Sequence, residues 1–221
     1  MTRAGWIAAA SLLAMTVAAQ AAPERIRGTV ESVSDSAITV KTADGTKELA
    51  LAGDTKFVWV VPSSLDEVKD GKFIGTATKG ENPPKAVEVV VFPASMNGTA
   101  EGHYAWDAIE DKTGGDKLTK TKMTNGTIKS TGAPLTKTKM TNGTIKSSSG
   151  TGGDKMIDVT YDNGQELKIA VPSSAPIVAF DPADKSIVTK GATVFAVAAP
   201  TGGKLDAKLV AVGKGDTKPP M

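Results

Sequence analysis

The chain contains no cysteine. That excludes thiolate catalysis, disulfide staples and every metal or iron–sulfur site that needs a thiolate ligand. Histidine is nearly as scarce, with His103 the only one in 221 residues. A lone imidazole with no thiolate beside it is a poor transition-metal site, and no Ser-His-Asp layout has supporting motifs around it. There is no Gly-x-Ser-x-Gly elbow, no phosphate-binding glycine loop, and no calcium-loop spacing in the Asp- and Gly-bearing turns. Aromatic residues make up 5% of the chain, so its cores are modest and each half is expected to lean on the other. Net charge is small, with 26 Lys and Arg against 24 Asp and Glu. That balance gives no reason to expect nucleic acid or an anionic membrane as a partner. The Lys-rich stretches also lack the interleaved aromatics on which single-stranded bases stack.

Long apolar runs are missing too, with one exception. Met1-Thr-Arg3 is a short basic start, Trp6–Ala19 is an almost unbroken apolar run, and Ala19-Gln-Ala21 offers small residues before a cleavage point. This is the layout of an export signal, and Met1–Ala21 is set aside from the fold on that basis. The run is shorter than the roughly 20 residues of a spanning helix. No Cys comes after it, so a lipoprotein anchor is excluded. The expected mature chain begins at Ala22, has no transmembrane segment, and is periplasmic or secreted.

What the chain does have is repetition. Leu118-Thr-Lys-Thr-Lys-Met-Thr-Asn-Gly-Thr-Ile-Lys-Ser130 recurs without change as Leu135–Ser147. The end of this phrase, Gly143-Thr-Ile-Lys-Ser147, echoes Gly28-Thr-Val-Glu-Ser32, and the residues after the two echoes share a pattern as well. In the first half, Ile26–Val33 and Ala37–Thr42 alternate apolar and polar residues as half-buried strands do. Asp44-Gly45 is a hairpin turn leading to Lys47–Leu51, and Lys56–Val61 is a short strand stopped by Pro62. Ser63–Lys69 reads as a helical turn that Ser64 can cap, succeeded by strands at Lys72–Thr78 and Ala86–Phe92. The second half repeats this order. It runs through strands at Thr141–Ser147, Met156–Tyr161, Glu166–Val171 and Ile177–Phe180, a capped turn at Asp181–Thr189, and strands at Ala192–Ala198 and Leu205–Val212. Gly28 falls on Gly143, Val40 on Val159, Leu49 on Leu167, Gly71 on Gly191 and Val89 on Leu209.

This pattern predicts an all-β protein made of two small OB-like barrel units in tandem. The first unit would span 22–95, a linker with the surplus repeat copy 96–134, and the second unit 135–221. A single β-sandwich using all the strands is the alternative. Of the identical copies, Leu135–Ser147 is expected to be the opening strand of the second unit, because it runs directly into the rest of that unit. Identical strands compete for one place in a sheet.

The most chemically unusual stretch is Glu101-Gly-His-Tyr-Ala-Trp-Asp107, where an imidazole, two carboxylates, a phenol and an indole stand close together. His103, Tyr104, Trp106 and Asp107 form the candidate ligand or partner surface, with Trp106 and Tyr104 able to stack on a ring or sugar face. Equally, His103, Tyr104 and Trp106 can plug a seam between two barrels with their polar tips bonded to backbone. The metal alternative uses His103 with Glu101, Asp107 and Met96. Met123, Met140 and Met156 add soft thioethers, although scattered methionines usually fill cores. Asn-Gly-Thr occurs at Asn97, Asn125 and Asn142, where Asn-Gly is turn chemistry before it is a glycosylation signal.

Arg27-Gly-Thr-Val-Glu-Ser-Val33, Ile38-Thr-Val40 and Asp44-Gly45 give the first half a further meaning. This half resembles exported bacterial OB-like domains of unknown function. Val91-Phe-Pro93, Glu101-Gly-His103 with Trp106-Asp107, Met140-Thr-Asn-Gly-Thr144 and Pro219-Pro-Met221 extend the resemblance. Through them the whole mature chain is similar to uncharacterised secreted proteobacterial proteins often labelled metal ABC transporter permeases. The resemblance implies export and keeps a metal-related role in view. A permease needs several spanning helices, and this sequence has no runs to form them.

The expectation is therefore a non-catalytic exported β protein, a binding or envelope-accessory module with no cofactor, whose partner is a protein or small ligand of the cell envelope. The contact surface expected is Met96–Asp107 with the duplicated edge. The alternative is a periplasmic metal-handling protein centred on His103 and carrying a transition metal ion. An enzyme of envelope polymers would need a pair of facing carboxylates, which nothing in the sequence singles out.

Overall fold

A computed structural model describes residues 22–114, 117–132 and 153–220. The expected export signal, Met1–Ala21, and the second repeat copy, Leu135–Ser147, lie outside the described residues, as do Met140, Asn142 and Met221. Among the described residues no helix is long and apolar enough to cross a membrane. The protein is all-β, with a closed five-stranded barrel and additional strands.

The barrel begins as a meander of β1 (Glu24–Val33), β2 (Ala37–Thr42) and the long β3 (Gly45–Pro62). Chain order then runs through β4 (Phe73–Lys79), β5 (Lys85–Val91), β6 (Gly102–Glu110), β7 (Leu118–Gly132), β8 (Lys155–Tyr161), β9 (Gln165–Val171) and β10 (Ile177–Ala183). It ends with the hairpin β11 (Thr193–Thr201) and β12 (Lys204–Gly213). This last hairpin returns to close the barrel, β11 antiparallel to β1 and β12 parallel to β3. Ile26, Val30, Ile38, Val40, Leu49, Val194, Ala196 and Val210 fill it. They are the inward-facing members of alternating strands, as a half-buried pleat requires.

The other strands keep the same order of pairing. β7, β8 and β9 form a meander, and the β4–β5 hairpin joins it with β4 antiparallel to β7. β5 meets β9 in parallel at one bridge, Lys85 to Ala170. Ile74, Val89, Ile128, Ile157, Val159 and Ile169 make the core of this second ring. Each ring therefore draws strands from both halves of the chain. Across the expected division at 22–95 and 135–221, β11 and β12 pair with β1 and β3, and β4 and β5 pair with β7 and β9. The two strands expected at Lys47–Leu51 and Lys56–Val61 run on as one, β3. Its second half stays in the barrel beside β12 and also crosses β10 antiparallel, with Val60 opposite Phe180.

The stretch 96–134, expected as linker, holds β6 and β7. The first repeat copy, expected as surplus, is the body of β7 and sits between β4 on one side and β6 and β8 on the other. Local sequence cannot choose between identical copies, but connectivity can. β6 ends at Glu110, a few residues before Leu118, and zips onto β7 from Glu110 to Gly102. Asn125-Gly126 is consequently mid-strand rather than a turn. A Cβ on Gly126 would stand 2.4 Å from the Thr160 carbonyl oxygen, and one on Gly28 would stand 2.0 Å from that of Lys41. Both glycines precede a register shift at the same place, between Val30 and Ser32 and between Ile128 and Ser130. Gly28 and Gly126 are thus equivalent points of the two meanders. By contrast, Asn163-Gly164 does make the expected hairpin turn, with positive φ at Asp162, Asn163 and Gly164.

Each helical turn expected before the hairpins is a single 3-10 turn, Leu65–Glu67 and Lys185–Ile187. The Ser64 side chain makes no capping bond, whereas Asp184 accepts from the Ser186 N–H. Val68 enters the second core and Ile187 and Val188 the first, so each turn plugs the ring that its hairpin joins.

Gly126→Ala should lower the melting temperature by several degrees, since overpacking typically costs about 1–3 kcal/mol. Gly45→Ala, at a turn with open space around it, should cost about 1 kcal/mol from its positive φ alone. Thermal melts by circular dichroism of the two variants and the parent test that order.

Candidate functional site

Between the two rings lies a half-open cavity of about 480 Å³. Its floor comes from the seam itself. Phe92, Phe180 and Phe195 belong to the core between the rings, and Phe92 meets Phe73 and Phe180 edge to face at centroid distances of 5.4 and 5.2 Å. Such contacts favour one packing over others by more than area burial alone. Val197 and Leu209 continue the wall on the side of the closed barrel, and Met123 on the side of β7. Met96, in the 3-10 turn Ala94–Met96, completes it.

The lid is β6. Its alternation sends Tyr104 and Trp106 to the cavity, with ring centroids 5.9 Å apart. Asn125 ties this lid down. Its amide Nδ2 donates to the Ala100 carbonyl at 3.0 Å, the Thr99 carbonyl at 3.4 Å and the Tyr104 hydroxyl at 3.3 Å. The Tyr104 hydroxyl itself donates to the Ala100 carbonyl. Gly75 makes this possible, because a Cβ there would lie 2.5 Å from Asn125 Oδ1 and 3.0 Å from the Phe92 ring. Burial pushes the Tyr104 phenol up, Asp162 adds to the rise and Arg25 opposes it.

Asp107 does not face the cavity. It accepts from Arg25 Nε at 3.1 Å and from Arg27 Nη1 at 2.8 Å, tying β6 to β1. Arg25 also lies over the Trp106 ring, 4.1 Å from its centroid, so one guanidinium clamps both the indole and the carboxylate. Burial pushes the Asp107 carboxyl up, but the hydrogen bonds and charges of the two arginines outweigh it and hold it below the usual carboxylate range.

His103 points to the other side of β6. Its Nδ1 lies 2.9 Å from Thr124 Oγ1, and its ring is 6.0 Å from that of Tyr161. Burial lowers its pKa, and the neighbouring Lys122 lowers it further. Glu101 is exposed, near the Gly98 turn. The metal alternative thus asks for donors on different surfaces. Met96 is in the cavity, His103 behind the lid, and Asp107 is taken by two arginines. Among the described residues no three His, Cys, Asp or Glu side chains group as a metal-binding set.

Of the candidate residues, the structure brings Tyr104, Trp106 and Met96 together and leaves His103 and Asp107 as supports of the strand that carries them. Phe92, Phe180, Phe195 and Leu209 are site residues that sequence reasoning does not single out, and it names Met123 only as a thioether and Asn125 only as turn chemistry. A signal for them exists in the repeat. Phe180 stands where the first half has Val60, Phe195 where it has Gly75, and Phe92 where the second half has Val212. The halves differ there by an aromatic ring, and those rings surround the cavity.

Asp107→Asn should destabilise the protein at neutral pH. Because the carboxyl titrates lower in the folded chain than in the unfolded one, its contribution is full above about pH 5 and fades as pH falls through the folded value. The gap in melting temperature between parent and variant should be several degrees at pH 7 and should close toward pH 3, as read by melts across that range. No protein-family model matches the chain, and neither a curated protein nor a solved structure matches it.

Proposed function

We propose that the protein is a non-catalytic, exported binding module that holds an apolar small molecule in the cavity between its two rings. In this reading the rings are OB-like units that have traded hairpins. Both keep the order meander, then parallel return strand, then antiparallel hairpin partner, which is the order of an OB barrel. The single observation that carries the binding role is the cavity lined by Phe92, Tyr104, Trp106, Phe180 and Phe195. Ligand sites are usually concave, largely preformed and walled by aromatic and aliphatic side chains with few polar groups. Here the Asn125 Nδ2 and the Tyr104 hydroxyl are spent on holding the lid, while Asn125 Oδ1 and the Trp106 indole Nε1 are buried with no protein partner. Export rests on the Met1–Ala21 pattern.

The neutral dye Nile red should bind the chain from Ala22 onward at one saturable site with a blue-shifted emission, and quench or shift Trp106 fluorescence. Val197→Trp, which fills the cavity from the β11 wall, should weaken this at least tenfold while leaving the circular dichroism spectrum unchanged. No saturable binding by the parent, or equal binding by the variant, would sink the reading. Export predicts that the full chain made in a bacterial host is recovered outside the cytoplasm beginning at Ala22. N-terminal sequencing of the recovered protein checks this, and an intact Met1 on it would count against export.

A further inference from the structure

We infer that the natural occupant is a single-chain anionic amphiphile, a long-chain carboxylate, with its tail in the cavity and its charged end at Lys56. This rests on the cavity reading and adds to it the chemistry of the two ends of the ligand.

The cavity is not uniform. Its depth is walled by Phe92, Met96, Phe180, Phe195 and Leu209, with no charged side chain among them. Its charged lining is confined to Asp54, Lys56 and Lys208, all three exposed. An irregularity in the β3–β12 ladder places them there. Ala207 pairs with Leu51 and Leu209 with Lys56, so residues 52–55 bulge out of register. Thr55 locks the bulge, its buried hydroxyl donating to the Ala207 carbonyl at 2.8 Å and accepting from the Ala52 N–H at 2.9 Å. Bulges commonly re-aim side chains in this way.

Within this rim the charges are not equivalent. Lys208 is paired with Asp54 at 3.2 Å. Lys56 has no ion-pair or hydrogen-bond partner among the described residues, so the rim carries one uncompensated positive charge beside an apolar depth. A neutral apolar molecule would leave that charge unused, and a cationic one would be repelled by it. An alkyl chain ending in a carboxylate matches both ends. The carboxylate stays in water beside the ammonium, so its desolvation cost is small and its gain is that of an exposed ion pair. Affinity then comes mainly from the tail, at about fourfold in Kd for each methylene buried.

The test is a displacement titration of Nile red from the chain beginning at Ala22. It uses saturated carboxylates of increasing length, with the alcohol and the amine of matching length. At low salt the carboxylate should bind about threefold to fivefold tighter than the alcohol, with the amine weakest. Each added methylene should tighten binding until the cavity is filled. Lys56→Met should remove the preference for carboxylate over alcohol while leaving alcohol affinity unchanged, and high salt should do the same to the parent. Lys56 is exposed, so the variant is expected to fold as the parent does. Equal affinity of carboxylate and alcohol at low salt, or a preference that survives Lys56→Met, would overturn the inference. If Nile red still binds and Val197→Trp still blocks it, the cavity reading stands and only the head-group assignment falls. If neither dye nor amphiphile binds, both fall.

Discussion

The antiparallel crossing of β3 and β10 is the contact on which the rest depends. Val60 faces Phe180 across it, and the pairing continues evenly to either side, from Pro62 with Val178 to Phe57 with Ala183. Those residues occupy equivalent places in the two halves, so the crossing acts as a local two-fold axis. Each strand arrives from its own meander and, instead of turning back, runs past the other. The hairpin after it is carried to the far ring. Domain exchange between two chains has this geometry when a hinge opens into a strand. Here both participants are on one chain.

The exchange also explains where the cavity is. Two rings related by a two-fold leave similar surfaces on either side of the crossing, and a symmetric protein would fill both alike. This chain breaks the symmetry with a few substitutions. Phe195 has a ring where Gly75 has none, and the space above Gly75 is taken by Phe92 and Asn125. Among the described residues β6 has no counterpart in the second half, and it roofs only one side. Its position is held by Asp107 and Arg25 to β1 and by Asn125 to the loop before it. Site residues thus come from the parts of the sequence that depart from the repeat, while the fold comes from the parts that obey it.

Much of this is legible in the sequence, and the limits are physical. Alternation in Ile26–Val33, Ala37–Thr42 and Met156–Tyr161 identifies strands because those strands have one buried face. The turns at Asp44-Gly45 and Asn163-Gly164 are readable because positive φ restricts residue choice. The partner of each hairpin is not readable, since pairing within a half and pairing across halves bury the same residues. Nor is the choice between identical copies, which depends on the short connection from β6. Asn125-Gly126 misleads for a specific reason. Its glycine is required by a neighbouring carbonyl at 2.4 Å from a would-be Cβ, not by φ. At the site, Tyr104 and Trp106 stand out as rare residues, but Phe92, Phe180 and Phe195 lie far apart in sequence and meet only after the exchange.

The reciprocal placement of the β4–β5 and β11–β12 hairpins has a thermodynamic consequence. Two rings joined by a linker can melt independently, each with its own midpoint. Here the loss of either meander strips a hairpin of its partner and exposes part of both cores, so the free energies of the rings cannot be assigned separately. Cooperativity usually weakens as chains acquire a second unit. This topology restores it by making each ring incomplete in the absence of the other.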